Sequence, residues 1–226
     1  MQHHFYSKSK REQNQIQLKI GSFALLINSL ALSVSFFSGF YLVFFLLLAI
    51  TLSIVAPFFD VPSLKQKGSL VYYSSLLVAE REKKGVVKIH GGSLFDYVFV
   101  IDRALNGTQR TNFILQQYLE GLLNLINDFE AKKNTAVKIQ GTSYILNERT
   151  ANRIGLKVIK TDFLQKFILV FNYLPLLISS SFAKGKLSFP NLRKSKSFEG
   201  ELIELMERKQ NIQNLSNKLK RSITGL

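Results

Sequence analysis

Charged and apolar positions are distributed unevenly along this chain. Residues 20–59 form forty consecutive positions without a charge, and their polar members are mostly single serines, with Asn28 and Thr51. One helix of that length would reach about 60 Å, roughly twice the thickness of a bilayer's hydrocarbon core. Two spans fit instead, and the natural break is Ser38-Gly39, where two poor helix formers meet. The pattern therefore predicts a transmembrane helical hairpin, with spans near residues 20–37 and 40–59. Pro57 and Asp60-Val-Pro62 mark its exit.

After Gly68 the period changes. Residues 69–79 are β-branched, aromatic and apolar and predict a strand. Residues 86–90, stopped by Gly91-Gly92, predict a second strand and residues 95–101 a third, joined as an antiparallel meander. From Asn106 onward Phe113, Leu115, Leu119, Leu122, Ile126 and Phe129 recur at helical spacing, which predicts an amphipathic helix of about 22 residues. A strand over 136–140 follows, then a helix over 148–154 capped by Asn147 and ended by Gly155, then a strand over 156–160. Asp162 caps a helix over 163–182, bent near Pro175. A basic linker over 187–196 leads to a last helix over 198–223, striped by Phe198, Leu202, Leu205, Ile212, Leu215, Leu219 and Ile223.

The fold class is thus α+β. A two-helix transmembrane hairpin is followed by a small domain, residues 68–183, of order β-β-β-α-β-α-β-α, with an antiparallel or mixed sheet and about three helices. Residues 184–226 are a basic linker and a C-terminal amphipathic helix. Residues 1–19 read as a polar, basic arm with a frayed end, in which His3 and His4 are solvated.

Charge adds orientation. The net charge is +15, with thirty basic residues against fifteen acidic. Lys8, Lys10, Arg11 and Lys19 precede the hairpin, Lys65 and Lys67 follow it, and its turn is uncharged. The positive-inside preference puts both chain ends in the cytoplasm, in a multi-pass membrane protein of two spans. An apolar stretch this long also excludes a cleaved signal peptide, whose apolar core runs about 7–15 residues. The expected partner of the basic surface is a lipid bilayer with anionic headgroups, and secondarily another membrane or envelope protein. Nucleic acid is not expected, because no motif for it occurs. The chain has no cysteine, which excludes disulfides, thiolate catalysis and thiolate metal sites. No cofactor or metal is implied.

Residues 163–182 carry one charge, Lys166, and hydropathy alone would make them a third span. A crossing would put Lys184, Lys186 and the basic C-terminal region outside. The segment is expected instead to lie on the membrane surface, with Phe163, Phe167, Val170, Phe171, Leu174 and Ile178 entering the headgroup boundary beside Lys184 and Lys186. Burial in the domain core is the competing expectation.

Candidate chemistry is sparse. Val86-Val-Lys-Ile-His-Gly-Gly92 resembles the His-Gly-Gly turn of α/β-hydrolase esterases, and Gly141-Thr-Ser143 follows a strand as a nucleophile elbow would. The pattern then fails, since position 145 is Ile instead of Gly and no histidine follows His90. His90 and Ser143 remain the only catalytic candidates, with Asp96 and Asp102 as nearby carboxylates. Arg149 and Arg153, at i and i+4, share a helical face that suits a phosphate or carboxylate. Arg149 to Gly155 also resembles the helix before the last strands of N-acetyltransferases, without their Gly-rich pyrophosphate loop.

The order of Val87-Lys-Ile-His90, a helix, Gly141-Thr-Ser143, Arg149 to Gly155 and a following strand resembles the YkoP-like domain over about residues 68–190. That small bacterial domain is sometimes attached to polysaccharide deacetylases. The resemblance implies an α+β fold and an envelope context. It brings no catalytic residues, because the family has no assigned chemistry, and the hairpin departs from its soluble members. The function expected from these features is a membrane-anchored binding or regulatory module at the cytoplasmic face. The alternative is a membrane-associated enzyme acting on a lipid or cell-envelope precursor.

Overall fold

A computed structural model describes residues 3–143 and 145–224. Helix α1 (Lys10–Ser38) starts at a Ser9–Glu12 capping box and stops at Gly39, whose left-handed backbone (φ 71°) turns the chain. Helix α2 (Tyr41–Val55) returns alongside it and runs through Ala56 into α3 (Pro57–Gln66). The two arms are antiparallel, since Gln17 Nε2 donates to the Phe58 carbonyl at 2.9 Å and Gly21 faces the Phe59 ring. Lys10–Ser38 and Tyr41–Gln66 are both long and apolar enough to cross a membrane. Their outer faces are uncovered: Phe37 is 87% exposed and Leu42 69%.

The remaining chain is an α+β unit. Among the described residues its strands are β1 (Leu70–Tyr72), β2 (Leu77–Glu80), β3 (Val86–Gly91), β4 (Lys138–Ser143), β5 (Lys157–Ile159) and β6 (Lys196–Glu201), in one mixed sheet of order β1-β2-β3-β4-β6-β5. Only β3 and β4 are parallel, with Ile89 opposite Gly141. Between them the chain forms α4 (Leu94–Val100) and α5 (Gly107–Ala131), the crossover that a parallel pair requires. Helix α6 (Glu148–Arg153) precedes β5, α7 (Phe163–Phe171) and α8 (Tyr173–Lys184) follow it, and α9 (Leu202–Glu207) and α10 (Lys209–Thr224) end the described chain. One sheet face is apolar. Leu77, Ala79, Val87, Ile139 and Phe198 meet Leu119, Leu122 and Ile126 of α5, with Leu202, Leu205 and Ile212 behind them.

Five differences from the sequence reading have physical causes. The run over 69–79 is two strands, because Ser74 Oγ accepts the Leu76 and Leu77 amides and turns the chain. The run over 95–101 is helix through Val100. Ser93 and Asp96 cap α4, and Leu94, Phe95, Tyr97 and Val100 are all buried, so the one polar residue of the run, Asp96, serves as a cap and marks no exposed helical face. Lys196–Glu201, assigned to the linker and last helix, is a strand between β4 and β5. The last helix accordingly begins at Leu202 and breaks at Arg208. From residue 3 onward the N-terminal arm is packed against the α+β unit. Phe5 is 1% exposed against Phe95 and Phe99, and His3 is buried beside Asp96. Two aromatic side chains and one buried polar pair hold what charge density alone would leave solvated.

The segment over 163–182 divides at Asn172, and its two halves meet at 69°. Helix α7 has no buried residue, whereas Pro175, Ser179, Ser180 and Ala183 of α8 are buried. Core burial therefore holds for α8 alone. Met1 and Leu226, from which the two-span topology would be read, lie outside the described residues.

Candidate functional site

A cavity of about 710 Å³ lies between the sheet and its helices. Its floor is the ends of the parallel pair, Ile89 to Gly92 and Gly141 to Ser143. Leu115, Leu119 and Leu122 of α5 form one wall, and Leu215 and Leu219 of α10 another. Ile168, Leu169, Pro175 and Leu176, from both arms of the α7–α8 elbow, close it, and Pro57 of the hairpin borders it. The lining is mostly hydrocarbon. Asn112, Asn147, Lys218 and Ser222 supply polar groups. The volume is within the range of about 300–1,000 Å³ typical of small-molecule sites.

Local sequence explains why space is available here. Gly91 lies directly beneath the Tyr118 hydroxyl, where any Cβ would collide, and Gly92 faces Leu76 and Asp96. Gly141 likewise admits Ile89. Gly91 and Gly92 thus serve close approach of side chains at a strand end, and neither adopts a positive φ. The turn reading of this pair captured its position but not its cause.

The sequence candidates do not combine into one reactive centre. His90 Nε2 is 2.9 Å from Glu80 Oε1 in an exposed cross-strand pair. Ser143 Oγ accepts the amides of Ile145 and Leu146, which fixes the loop after β4. Both residues border the cavity, but their side chains leave the sheet on opposite faces. Ile89 and Gly141 are register partners, so His90 sits beside Thr142 and Gly91 beside Ser143. Thr142 and Ser197 bond Gln165 on the polar face, whereas Ile89 belongs to the apolar one. Arg149 and Arg153 are exposed on α6, make no ion pair with a described residue and do not line the cavity. Asp102 accepts the Ala104 amide in a turn.

Asp96 has a different role. It is 1% exposed, and its Oδ1 accepts Tyr72 Oη at 2.6 Å and faces His3 Nε2 at 3.1 Å. Its Oδ2 accepts the Ser93 amide and hydroxyl. Lys65 Nζ stands 3.3 Å from the centre of the Tyr6 ring. These groups join the N-terminal arm, α3, β1 and α4. Burial pushes the Tyr6 phenol up to about 12 and raises Tyr72 further.

No family model, curated protein or solved structure matches this chain. The resemblance to the YkoP-like domain therefore rests on segment order alone.

The membrane-surface candidates form a group of their own. Phe163 is 84% exposed, Phe171 70% and Phe167 58%, with Leu164 and Val170 also uncovered on α7. Lys184 and Lys186, exposed, flank the left-handed Gly185 that ends α8. Arg110 holds that end. Its guanidinium donates to the carbonyls of Phe182, Leu105 and Arg103. Sequence reasoning missed both Arg110 and the cavity, because each is assembled from segments far apart in the chain.

Proposed function

We propose that this chain is a membrane-anchored binding module, with its α+β unit at the cytoplasmic face and the cavity beneath the α7–α8 elbow as its ligand site. The observation that carries the reading is the cavity itself, an apolar chamber with a few polar groups at its wall. The basic flanks of the hairpin support the cytoplasmic side. The separation of His90 and Ser143 onto opposite sheet faces removes the support they gave to an enzyme acting on a lipid or envelope precursor.

The test is direct. Full-length protein purified in a mild detergent is extracted with organic solvent, and the extract is analysed by mass spectrometry. A stoichiometric apolar compound is expected, and Leu119→Trp, which fills the chamber, should remove it. An empty extract, together with no uptake of added palmitate, would overturn the reading.

A further inference from the structure

We infer that the cavity takes the hydrocarbon chain of a bilayer lipid, and that the chain enters from the membrane under α7, which lies in the headgroup boundary. This inference rests on the reading of the cavity as the ligand site and adds the ligand's class and its route.

The mouth can be located from exposure. Ile168 lines the cavity yet is 48% exposed, so the chamber reaches the surface at α7. On either side of it are Phe167 and Phe171, both uncovered. Four residues from α7 to α8, Ile168, Leu169, Pro175 and Leu176, carry the apolar lining inward from this point. Asn147, Lys218 and Ser222 give the cavity an exposed polar border elsewhere, whereas at α7 the border is apolar and a hydrocarbon chain meets apolar surface at each step.

The mouth also faces the membrane. Pro57, at the junction of α2 and α3, is part of the cavity border, and α8 lies against α2, an apolar helix of the hairpin. The elbow is therefore held at the level where the hairpin leaves the bilayer. Lys166 is exposed on α7, and Lys184 and Lys186 are exposed at the far end of α8, which suits basic contacts with anionic headgroups at both ends of the elbow's arms. Six uncovered large apolar residues on one nine-residue helix have a high cost in water. Continuity with the hairpin identifies the bilayer as what covers them.

The two arms of the elbow differ in how they are held. Arg110 and the Gly107–Lys184 approach fasten α8 to the start of α5. Helix α7 is tied to the sheet by Gln165, which accepts from Thr142 and Ser197. This arrangement fixes the inner wall and leaves the outer arm bordering the opening.

The experiment uses full-length protein in nanodiscs of phosphatidylcholine and phosphatidylglycerol, a fraction of whose phosphatidylglycerol carries a diazirine on its acyl chain. After irradiation, cross-linked peptides are mapped by mass spectrometry. Adducts are expected on α5 and α8 at cavity residues such as Leu119 and Leu176, in addition to the hairpin. The triple variant Phe163→Ser, Phe167→Ser, Phe171→Ser should lower the cavity adducts by about tenfold, a difference of about 1.4 kcal/mol. It should leave hairpin adducts and the circular dichroism spectrum unchanged, since all three side chains are exposed. The same variant should still bind palmitate added from solution, because the chamber is intact. Adducts confined to the hairpin, with palmitate still bound, would overturn the membrane route and leave the ligand site standing. Loss of both would overturn the two together. Cavity adducts that the triple variant does not reduce would show entry elsewhere and overturn the role of α7.

Discussion

His3 Nε2 lies 3.1 Å from Asp96 Oδ1, across ninety-three residues of sequence, and both side chains are buried. The pair fastens the start of the chain to the helix that follows β3. Because the apolar helical hairpin lies between them in sequence, it closes the hairpin's two ends onto one body. Asp96→Ala would leave the Tyr72 hydroxyl and the Ser93 amide without their acceptor. A loss of about 1–3 kcal/mol per orphaned buried group follows. Thermal unfolding should shift down, and limited proteolysis should cut near residues 3–9 in the variant first. An unchanged melting curve and an intact N-terminus would contradict this role.

Tyr6 supplies a pH dependence. Burial first, and then the nearby Asp96, raise its phenol from an ordinary value of 10.0 to about 12, against a lowering by the Tyr72 hydrogen bond. A group whose folded pKa is raised contributes stability that is complete below its unfolded pKa and is lost as pH rises through the folded one. Docking of the arm should therefore be unaffected up to about pH 10 and weaken between 10 and about 12. Tyrosinate absorbance of the parent minus that of Tyr6→Phe should show one late-titrating phenol. A difference curve centred near pH 10 would refute the assignment.

Gly107 faces the Lys184 carbonyl so closely that a Cβ would collide with backbone. Gly107→Ala must separate the start of α5 from the end of α8, at a cost in the range of about 1–3 kcal/mol for overpacking. Arg110→Ala, which strips donors from three carbonyls, should destabilise by a similar amount. Chemical denaturation in detergent would measure both, and stability equal to the parent's in either variant would exclude this joint as a structural fastening.

His90→Ala and Ser143→Ala separate binding from catalysis. The His90–Glu80 pair is exposed, so its removal should change stability by only ~0.2–1 kcal/mol, and lipid loading should stay at the parent's level. Ser143→Ala frees two loop amides and should cost somewhat more, again without loss of loading. Complete loss of cellular function with normal abundance in the His90 variant would point to chemistry instead.

Topology is open to a reporter assay. Fusion after Leu226 should report the cytoplasm and insertion at Gly39 the far side, since basic residues flank the hairpin and its turn has none. A C-terminal fusion that reports the outside would refute the two-span arrangement.

The helical hairpin was legible because a forty-residue uncharged run and a Ser-Gly break are local properties of the sequence, and together they predict two apolar helices. Gly39, Asn147, Gly155 and Asp162 were legible for a similar reason: helix ends need particular residues at particular places. The amphipathic stripe of α5 identified its core face. Other features depend on which surfaces meet. Helix α4 is buried on nearly every side, so its sequence carries no period, and β6 is a short polar strand recognisable only by its neighbours β4 and β5. The buried place of His3 depends on Asp96, and the cavity depends on α5, α10, the α7–α8 elbow and two strand ends converging. Local physical chemistry sets element type and the length and apolarity of the two hairpin helices. Empty space and buried polar partners are set by contacts between residues distant in sequence, and only tertiary packing specifies them.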